Sequence, residues 1–404
     1  MKAHCTHFHD ASIAELDVAG SRMRGGFPEL TGRPGPATIG RRGCTGCDEP
    51  GFNQQEFAVI RQRRICATMP HHFELAATDE AYRARRRQIE TFTRMVRPKP
   101  RTRAITIPVV VHVIYRDADQ NISEQQILSQ IEVLNEDFRF RNSDREGIPE
   151  AFQKAAGDAL IEFALATRDP GGQPCTGITR TETGTARFPY DGTSDATIRL
   201  DELIKSGPSG VAAWPRDDYL NLWVCPLDDG LLGYAQFPGG NAATDGVVIR
   251  TTAFGKIGNV IDHYNLGRTC VHEVGHWLNL LHIWGDDAHG CQRSDAVVDT
   301  PNQGGPNEGS PTYPKLSCNN APHGDMFMNY MDYVDDASMC MFTRGQIARM
   351  NAALAGPRAS LALSGGLIPT ATDSADHKRD ADEAPLLFAL AAQPHTNFDG
   401  VDWV

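Results

Sequence analysis

Two histidines and a glutamate near the middle of the chain have the spacing of a metal-dependent hydrolytic site. The sequence reads Val271-His-Glu-Val-Gly-His276, so on a helix His272 and His276 would project from one face. Imidazole nitrogens placed in this way can reach one Zn²⁺ at about 2.0–2.1 Å. Glu273 lies one step round the helix, where it could hold a metal-bound water and accept its proton. If only the five residues from His272 to His276 are considered, the alternative to a metal site is a helix with two surface histidines.

A third histidine follows at a position that a straight helix would not bring to the same metal. His282 comes six residues after His276, about 120° from its face at about 100° per residue. It can join the site only if the helix ends and the chain turns back. Asparagine is the non-glycine residue that best adopts the left-handed conformation for such a turn, and Asn279 lies between the two. Three histidines would leave the fourth zinc position open for water, the catalytic arrangement.

The segments around this motif predict a mixture of strands and helices. Residues 105–115 are a β-branched run typical of a buried strand. Residues 124–138 have helical apolar spacing behind a capping-box pattern. Further strands are predicted at residues 161–165, 220–224, 231–237 and 246–250. Upstream, residues 74–97 predict a helix with Thr78 as its N-cap. Strands and helices without strict alternation favour an α+β fold.

Composition and charge describe a globular chain with two unlike parts. The 404 residues have a net charge of −12, and no run approaches the roughly 18 apolar residues of a membrane span. The acidic balance argues against a dedicated nucleic-acid binder. Residues 1–103 carry 18 Lys and Arg against 11 Asp and Glu, whereas residues 104–404 carry 21 against 40. A part of net charge +7 therefore precedes a part of −19, with a proline-containing basic linker at residues 97–103 between them.

The two ends of the chain are predicted to differ from its ordered middle. The N-terminus has no continuous apolar stretch after a basic start, so no secretory signal peptide is visible. The ten cysteines would allow a few disulfide bonds in an oxidising compartment, so these two features point in different directions. Residues 1–60 predict irregular structure, and the Ala-, Asp- and Thr-rich residues 366–404 predict a disordered tail.

Taken together, these motifs resemble those of the pappalysin (M43) metalloproteases of the metzincin clan. The matching motifs are HEVGHWLNLLHIWGDD at residues 272–287, VDTP at 298–301 and NYMDY at 329–333. The resemblance implies a twisted, mostly parallel sheet with an antiparallel edge strand, an active-site helix and a C-terminal subdomain with a Met-turn. It also implies a pro-segment that confers latency. Together with the charge split, this predicts a pro-segment over residues 1–103 and a catalytic domain over residues 104–365.

The resemblance assigns roles to three residues downstream of the histidines. Met331 would be the Met-turn methionine beneath the zinc, where a soft side chain packs well. Tyr333 would support the oxyanion of the tetrahedral intermediate. Asp336 would lie at the base of the S1′ pocket and select Arg or Lys in P1′, the residue just after the scissile bond. A core methionine, a half-buried aromatic residue and a solvated acidic loop are the alternatives.

The resemblance also places a substrate-binding strand above the cleft. Residues 232–237 would form this edge strand, on which Gly233 and Tyr234 would bind substrate. The free N–H and C=O groups of an edge strand can pair with an extended peptide. An edge strand that binds no ligand is the alternative.

A calcium site and a disulfide bond are implied in the loop that follows the histidines. Carboxylate, hydroxyl, amide and carbonyl oxygens suit Ca²⁺. The implied calcium ligands are Asp295, Val298, Thr300 and Gln303. A solvated loop rich in Asp and Gly is the alternative. The family pairs the cysteines that match Cys291 and Cys318, and its second bridge uses a position where this chain has Ser338.

A cysteine in the basic N-terminal part would hold the enzyme latent. Arg64-Ile-Cys66-Ala-Thr-Met69 resembles the family's pro-segment motif, in which a cysteine occupies the open zinc position. A thiolate binds zinc better than water does and would exclude it. The rival candidates for this cysteine switch are Cys5, Cys44 and Cys47. Self-cleavage near residues 94–103 is the predicted activation step for an enzyme that prefers Arg or Lys in P1′.

These observations predict a zinc endopeptidase made as a zymogen, with zinc and calcium as its ions. Its partners would be protein or peptide substrates and its own pro-segment. The family implies an extracellular location. One rival is a gluzincin, which takes a downstream glutamate as third ligand, and His282 and Met331 argue against it. Another is a catalytically silent zinc- or calcium-binding interaction module, which would not need Glu273.

Overall fold

The computed structural model describes five ranges of the chain. They are residues 63–96, 101–193, 195–228, 230–286 and 290–368. The predicted irregular region over residues 1–60 lies outside the described residues, and so does the predicted tail from residue 369 onward. The first three residues of that predicted tail are described, and the carbonyl of Gly366 accepts hydrogen bonds from the N–H groups of Thr167 and Arg168.

The described residues form nine strands and seven α-helices. The strands are β1 (Ile65–Cys66), β2 (Ile105–Tyr115), β3 (Ile161–Leu165), β4 (Ile178–Glu182), β5 (Leu220–Cys225), β6 (Leu231–Ala235), β7 (Val247–Arg250), β8 (Glu308–Gly309) and β9 (Tyr333–Val334). The helices are α1 (Thr68–Thr78), α2 (Glu80–Met95), α3 (Glu124–Phe138), α4 (Glu150–Gln153), α5 (Ala196–Asp201), α6 (Arg268–Trp277) and α7 (Arg344–Ala355). Across these ranges, no helix combines the length and apolar character needed to cross a membrane.

One mostly parallel sheet of seven strands organises the described residues. The strand order is β1-β6-β7-β5-β2-β3, and β4 pairs with the second half of β2 on the side where β3 pairs with the first. All pairs are parallel except β6 with β7, which is antiparallel. This arrangement confirms the predicted fold class, a mostly parallel sheet with an antiparallel strand towards one edge. In addition, β1 of the N-terminal segment (residues 63–96) pairs with the outer side of β6.

The position of β2 in the core explains why its sequence is continuously apolar. β2 is buried from Ile107 to Ile114 because it lies between neighbouring strands and is covered on both faces. Alternate residues such as Ile107 and Val109 point into the larger core, which α3 and α6 close from above. Ile114 points to the opposite face, where it packs with Trp223 and Tyr234. The helix α6 therefore packs on one face of the sheet, next to β6.

The predicted helix over residues 74–97 is wrong in its bounds. The structure has two helices, α1 and α2, separated at Asp79. Asp79 is the N-cap of α2, because its Oδ1 accepts a hydrogen bond from the N–H of Tyr82 at 3.0 Å. The Thr78 hydroxyl instead donates to the carbonyl of Glu74 inside α1. Thr and Asp both suit an N-cap, so their adjacent positions left the boundary ambiguous by one residue.

Inside the sheet, His112 makes the stability of the fold depend on pH. Its Nδ1 lies 2.8 Å from the Thr179 hydroxyl, and its Nε2 lies 3.1 Å from Oδ1 of Asn221. Burial lowers the pKa of His112 to about 4. An unfolded chain titrates this group near pH 6.5, so between pH 7 and pH 5 the unfolded state gains a proton that the folded state does not bind. The folded state should therefore lose stability as the pH falls through this range.

We expect His112→Gln to remove this contribution, because a glutamine can donate and accept in the same place without titrating. The free energy of unfolding in urea of the unsubstituted protein should fall between pH 7 and pH 5 by about 2 kcal/mol more than that of the variant. Other titrating groups contribute equally to both proteins. Equal losses in the two proteins would contradict the assignment.

Candidate active site

The helix α6 carries two of the predicted metal ligands into the interior. All ten of its residues are buried, and His272 and His276 share one face as the spacing predicted. Gly275 allows a close approach from below, since a Cβ there would lie 2.6 Å from Sδ of Met331. Met331 is fully buried, and its carbonyl accepts a hydrogen bond from the N–H of Ile283 at 3.2 Å. The predicted Met-turn residue thus packs directly beneath the helix.

The chain turns back after α6 at the predicted residue. Asn279 has a φ of +76°, in the left-handed region that asparagine tolerates best after glycine. Its N–H donates to the carbonyl of His276 at 2.8 Å, and the next N–H, that of Leu280, donates to Gly275 at 2.9 Å. Nε of Arg349 donates to the carbonyl of Asn279 at 2.6 Å. This turn returns His282 to the face of α6.

Three imidazole nitrogens converge on one point. The Nε2 atoms of His272, His276 and His282 lie 3.1–3.2 Å from one another. Their Nδ1 atoms each face an acceptor at 2.6–2.7 Å, namely the carbonyls of Tyr330 and Leu280 and Oδ1 of Asp286. Each Nδ1 therefore carries the proton, and each Nε2 directs a lone pair inward.

These residues fit a tetrahedral cation. Ligands at about 2.0–2.1 Å from zinc lie about 3.3 Å apart, close to the spacing of the three nitrogens, and converging lone pairs need a positive charge between them. Sγ of Cys66 completes the set, because all four atoms lie within 4.8 Å of one another. No other group of three or more His, Cys, Asp or Glu residues in the described ranges could hold a metal.

Glu273 lies beside this point in a buried position. Its Oε2 accepts hydrogen bonds from the Thr68 hydroxyl at 2.8 Å and from the Cys66 thiol at 3.4 Å. Burial raises the pKa of Glu273 to about 7. A carboxyl group of this kind can both accept and donate a proton near neutral pH. The Thr68 hydroxyl also accepts a hydrogen bond from the N–H of Ala235 at 2.7 Å, so it links Glu273 to β6.

The ring of Tyr333 packs against two of the three histidines. Its ring is 4.9 Å from the ring of His282 and 5.8 Å from that of His272. Its hydroxyl donates to the backbone carbonyl of Cys66 at 3.3 Å. The structure therefore places this hydroxyl against a peptide carbonyl next to the predicted metal position.

Asp336 forms the floor of a pocket that Arg64 fills. The Nη2 of Arg64 lies 2.6 Å from Oδ1 of Asp336, and both side chains are almost completely buried. The Nη1 donates to the hydroxyl of Thr269 and the Nε to the carbonyl of Val334. The guanidinium also lies over the ring of Tyr264 at 5.0 Å. Every face of the cation is thus matched by an acceptor or an aromatic ring.

The predicted edge strand β6 borders the cleft, and its outer side is paired. The N–H of Ala67 donates to the carbonyl of Gly233 at 3.0 Å. A Cβ at Gly233 would lie 2.8 Å from the carbonyl of Val248 and 3.1 Å from Cγ of Glu273, so only glycine fits there. The side chain of Tyr234 points to the opposite face, where its hydroxyl donates to Asp201 at 2.9 Å. Tyr234 can therefore meet a substrate in the cleft only through its backbone.

Comparisons with known proteins agree with this geometry. The family model described as pregnancy-associated plasma protein-A, of peptidase family M43, matches residues 209–355. An extracellular metalloprotease of Pyricularia oryzae is 32% identical over 269 residues, which cover 64% of this chain and 78% of that protein. The chain belongs to the M43 family. One of Arthroderma gypseum is 29% identical over 301 residues, which cover 72% of this chain and 84% of that protein.

Two solved structures extend the M43 assignment to the fold. A variant of Tannerella forsythia promirolysin matches with a TM-score of 0.68 and 45% identity, over 74% of this chain and 97% of that chain. Mature mirolysin from the same organism, in complex with a cleaved peptide, matches with a TM-score of 0.61 and 50% identity, over 65% and 97%. These matches confirm that the protein is a metalloendopeptidase with the metzincin-type fold of M43 enzymes, and the family implies zinc.

The predicted disulfide bond of this M43 chain is confirmed. Cys291 and Cys318 are bonded, with Cα atoms 5.2 Å apart. Such a bond stabilises the fold chiefly by restricting the unfolded chain, by about 3 kcal/mol for a loop of this length. Cys340 is buried and forms no disulfide bond, and Cys225 and Cys270 are buried in the same way.

The predicted calcium ligands are only partly brought together. Asp295 is buried and accepts a hydrogen bond from the Thr300 hydroxyl at 2.8 Å. The amide nitrogen of Gln303 donates to Asp332, while its buried Oε1 has no hydrogen-bond partner. The side chain of Val298 is fully exposed, which leaves only its backbone carbonyl as a ligand. The calcium site of this M43 protein stays a prediction.

Two site residues escaped the sequence-based prediction. Trp284 stacks on His282, with ring centroids 4.3 Å apart and planes 6° apart, and it also contacts the ring of Tyr333. Asp286 orients the same histidine from the other ring nitrogen, at 2.6 Å. Both follow His282 within four residues, and that proximity was the available signal. Ligand histidines commonly have such a carboxylate partner.

The turn at Asn279 gives a test of the M43 zinc site. We expect Asn279→Gly to keep it, because glycine adopts positive φ freely. Asn279→Val should lower the free energy of unfolding by about 1–2 kcal/mol relative to the glycine variant and reduce the bound zinc. Urea unfolding and metal analysis after dialysis measure the two effects.

The two variants form a matched pair, because each loses the hydrogen bond that Arg86 donates to Oδ1 of Asn279 at 2.8 Å. Their difference therefore reports on placing a β-branched side chain at a left-handed position and not on the loss of that hydrogen bond. Equal stability and equal zinc content in the valine and glycine variants would show that the left-handed turn is not needed.

Proposed function

We propose that this metalloendopeptidase is made as a zymogen that binds zinc through His272, His276 and His282 and prefers Arg or Lys in P1′. The observation that carries the proposal is the convergence of the three Nε2 lone pairs, with Cys66 at the fourth position and Glu273 beside it. Residues 1–103 would be the pro-segment and residues 104–365 the catalytic domain. Homologues named extracellular metalloproteases and the disulfide bond support an extracellular location.

Glu273 performs the proton transfers in this mechanism. Zinc bound by the three histidines would polarise the scissile carbonyl and acidify the attacking water. Glu273 accepts the proton of that water and then delivers it to the leaving amine. With the N-terminal segment in place, burial raises the pKa of Glu273 to about 7, towards the range in which a carboxyl group can accept and release a proton. The Tyr333 hydroxyl, which now donates to the carbonyl of Cys66, would donate to the oxyanion of the substrate.

The N-terminal segment shows how a peptide can occupy the cleft. Ile65 and Cys66 extend the sheet beside β6, and Ala67 bonds to Gly233. A substrate could use the same backbone groups once the segment has left. Arg64 in the Asp336 pocket supports a preference for Arg or Lys in P1′, because a buried carboxylate without a cationic partner is costly.

Latency follows from the same contacts. Cys66 stands where the attacking water would stand, Thr68 holds Glu273 and Arg64 fills the pocket. The rival cysteines Cys5, Cys44 and Cys47 lie outside the described residues. We propose self-cleavage near residues 94–103 as the activation step. The segment would still have to break buried contacts, such as that of His71 with Asp201 at 2.9 Å, before leaving.

Calcium remains part of the proposal as an ion that supports the loop. Asp295, the Val298 carbonyl, Thr300 and Gln303 would be its ligands. The buried Asp295 carboxylate and the unpaired Oε1 of Gln303 support a cation there. Burial raises the pKa of Asp295 to about 7, so the charged form that would bind a cation is costly without one.

Replacement of the general base tests the function. Glu273→Gln should lower the rate of casein cleavage by about 10²- to 10⁴-fold, because the proton acceptor is lost, while the zinc content stays unchanged. Glu150→Gln is the control, since it removes an equal charge from an exposed position on α4. A Glu273→Gln enzyme with full activity, or an active preparation without zinc, would contradict the proposal.

The cysteine switch is tested in the full-length chain. Cys66→Ala should give casein cleavage immediately after purification, because water can then reach the metal, whereas the unsubstituted protein stays latent until it is processed. Cys175→Ala is the control, as it removes a partly buried thiol that contacts the carbonyl of Ala166 instead. Unchanged latency of Cys66→Ala would eliminate this cysteine as the switch.

A further inference from the structure

Arg63, which directly precedes Arg64, is a second basic residue of the N-terminal segment that contacts a carboxylate at the cleft. Nε of Arg63 lies 3.3 Å from Oε2 of Glu308. The side chain of Arg63 is 75% exposed and that of Glu308 is 40% exposed, so the pair lies at the rim rather than in the interior. Two consecutive arginines of the N-terminal segment are thus each matched by a separate carboxylate.

A short ribbon holds Glu308 in register with the P1′ pocket. β8 pairs in parallel with β9, so that Glu308 lies beside Tyr333 and Gly309 beside Val334. The carbonyl of Val334 accepts a hydrogen bond from Arg64. One pair of strands therefore presents an acceptor to Arg64 and a carboxylate to Arg63. Glu308 belongs to the framework of the pocket and not to an independent loop.

The order of contacts along the segment identifies the subsite. Cys66 lies at the histidines, Arg64 fills the Asp336 pocket, and Arg63 is the next residue outward from the metal. In a substrate whose P1′ side chain fills that pocket, the next residue away from the scissile bond is P2′. This order is the same for either chain direction, so Arg63 stands in for P2′.

We propose that Glu308 forms an acidic S2′ subsite, and that the preferred substrates carry two consecutive basic residues directly after the scissile bond. The inference rests on the proposed function, because it requires Arg or Lys in the Asp336 pocket. Because the pair is exposed, the expected preference in kcat/KM is about two- to fivefold.

Fluorogenic peptides that differ only at P1′ and P2′ test the proposal. One set keeps Arg in P1′ and places Arg, Gln or Glu in P2′, and a reference peptide has Gln in P1′. The activated enzyme should favour Arg over Gln in P2′ by about two- to fivefold, and added salt should reduce the ratio. Glu308→Gln should bring the ratio close to one. Glu308→Lys should favour Glu in P2′.

Glu150→Gln is the matched control and should keep the ratio of the unsubstituted enzyme. The ratio is taken within one enzyme and so does not depend on the amount of folded protein, and Glu308→Gln decides the question if Glu308→Lys does not fold. An unchanged P2′ ratio in Glu308→Gln overturns the S2′ inference. Loss of preference for Arg over Gln in P1′ in the unsubstituted enzyme instead overturns the P1′ proposal on which the inference rests.

Discussion

The rest of the structure depends on holding three imidazole lone pairs 3.1–3.2 Å apart. Without a cation these nitrogens repel one another, so each ring has to be fixed from behind. Two backbone carbonyls and one carboxylate do this from the Nδ1 side. The carbonyls come from the loop under α6 and from the turn after it. The sheet, the buried helix and the left-handed turn at Asn279 are therefore parts of one framework.

The N-terminal segment supplies partners to groups of the cleft that would otherwise have none. A cleft that receives a cation and a peptide backbone would hold a carboxylate without a cationic partner and an unpaired strand edge if nothing covered it. Arg64 and the backbone of Ile65 to Ala67 supply both partners. The charge difference between residues 1–103 and the remainder of the chain favours this docking and makes it sensitive to ionic strength. Buried pairs that involve His71 and Arg86 extend the docking beyond the cleft.

Local signals were sufficient wherever one short stretch determined the outcome. The apolar run of β2, the serine cap of α3 and the αL tendency of Asn279 are properties of neighbouring residues, and the structure agrees with them. β4 could not be found in this way, because none of its residues is fully buried and it is defined by pairing with β2.

Asp286 and Trp284 escaped prediction for a related reason. Their roles exist only after the turn at Asn279 returns His282 to the other two histidines, so closeness to His282 in the sequence does not by itself assign them. The boundary between α1 and α2 was missed because Thr78 and Asp79 are adjacent and both residue types suit an N-cap.

The separation of Arg64 from Cys66 by one residue has a consequence for the chemistry of the cleft. For hydrolysis, the scissile carbonyl of a substrate has to lie at the metal. That carbonyl belongs to the residue just before the P1′ residue, whose side chain fills the Asp336 pocket. In the segment, the side chain of a residue two places away directs its sulfur to that position, where the proposed mechanism has the nucleophile. The peptide bonds on either side of Ile65 are therefore out of register for hydrolysis. In the proposed mechanism, Arg-X-Cys is consequently the outline of a ligand that resists cleavage, with a guanidinium and a thiol spaced to bridge the pocket and the three histidines.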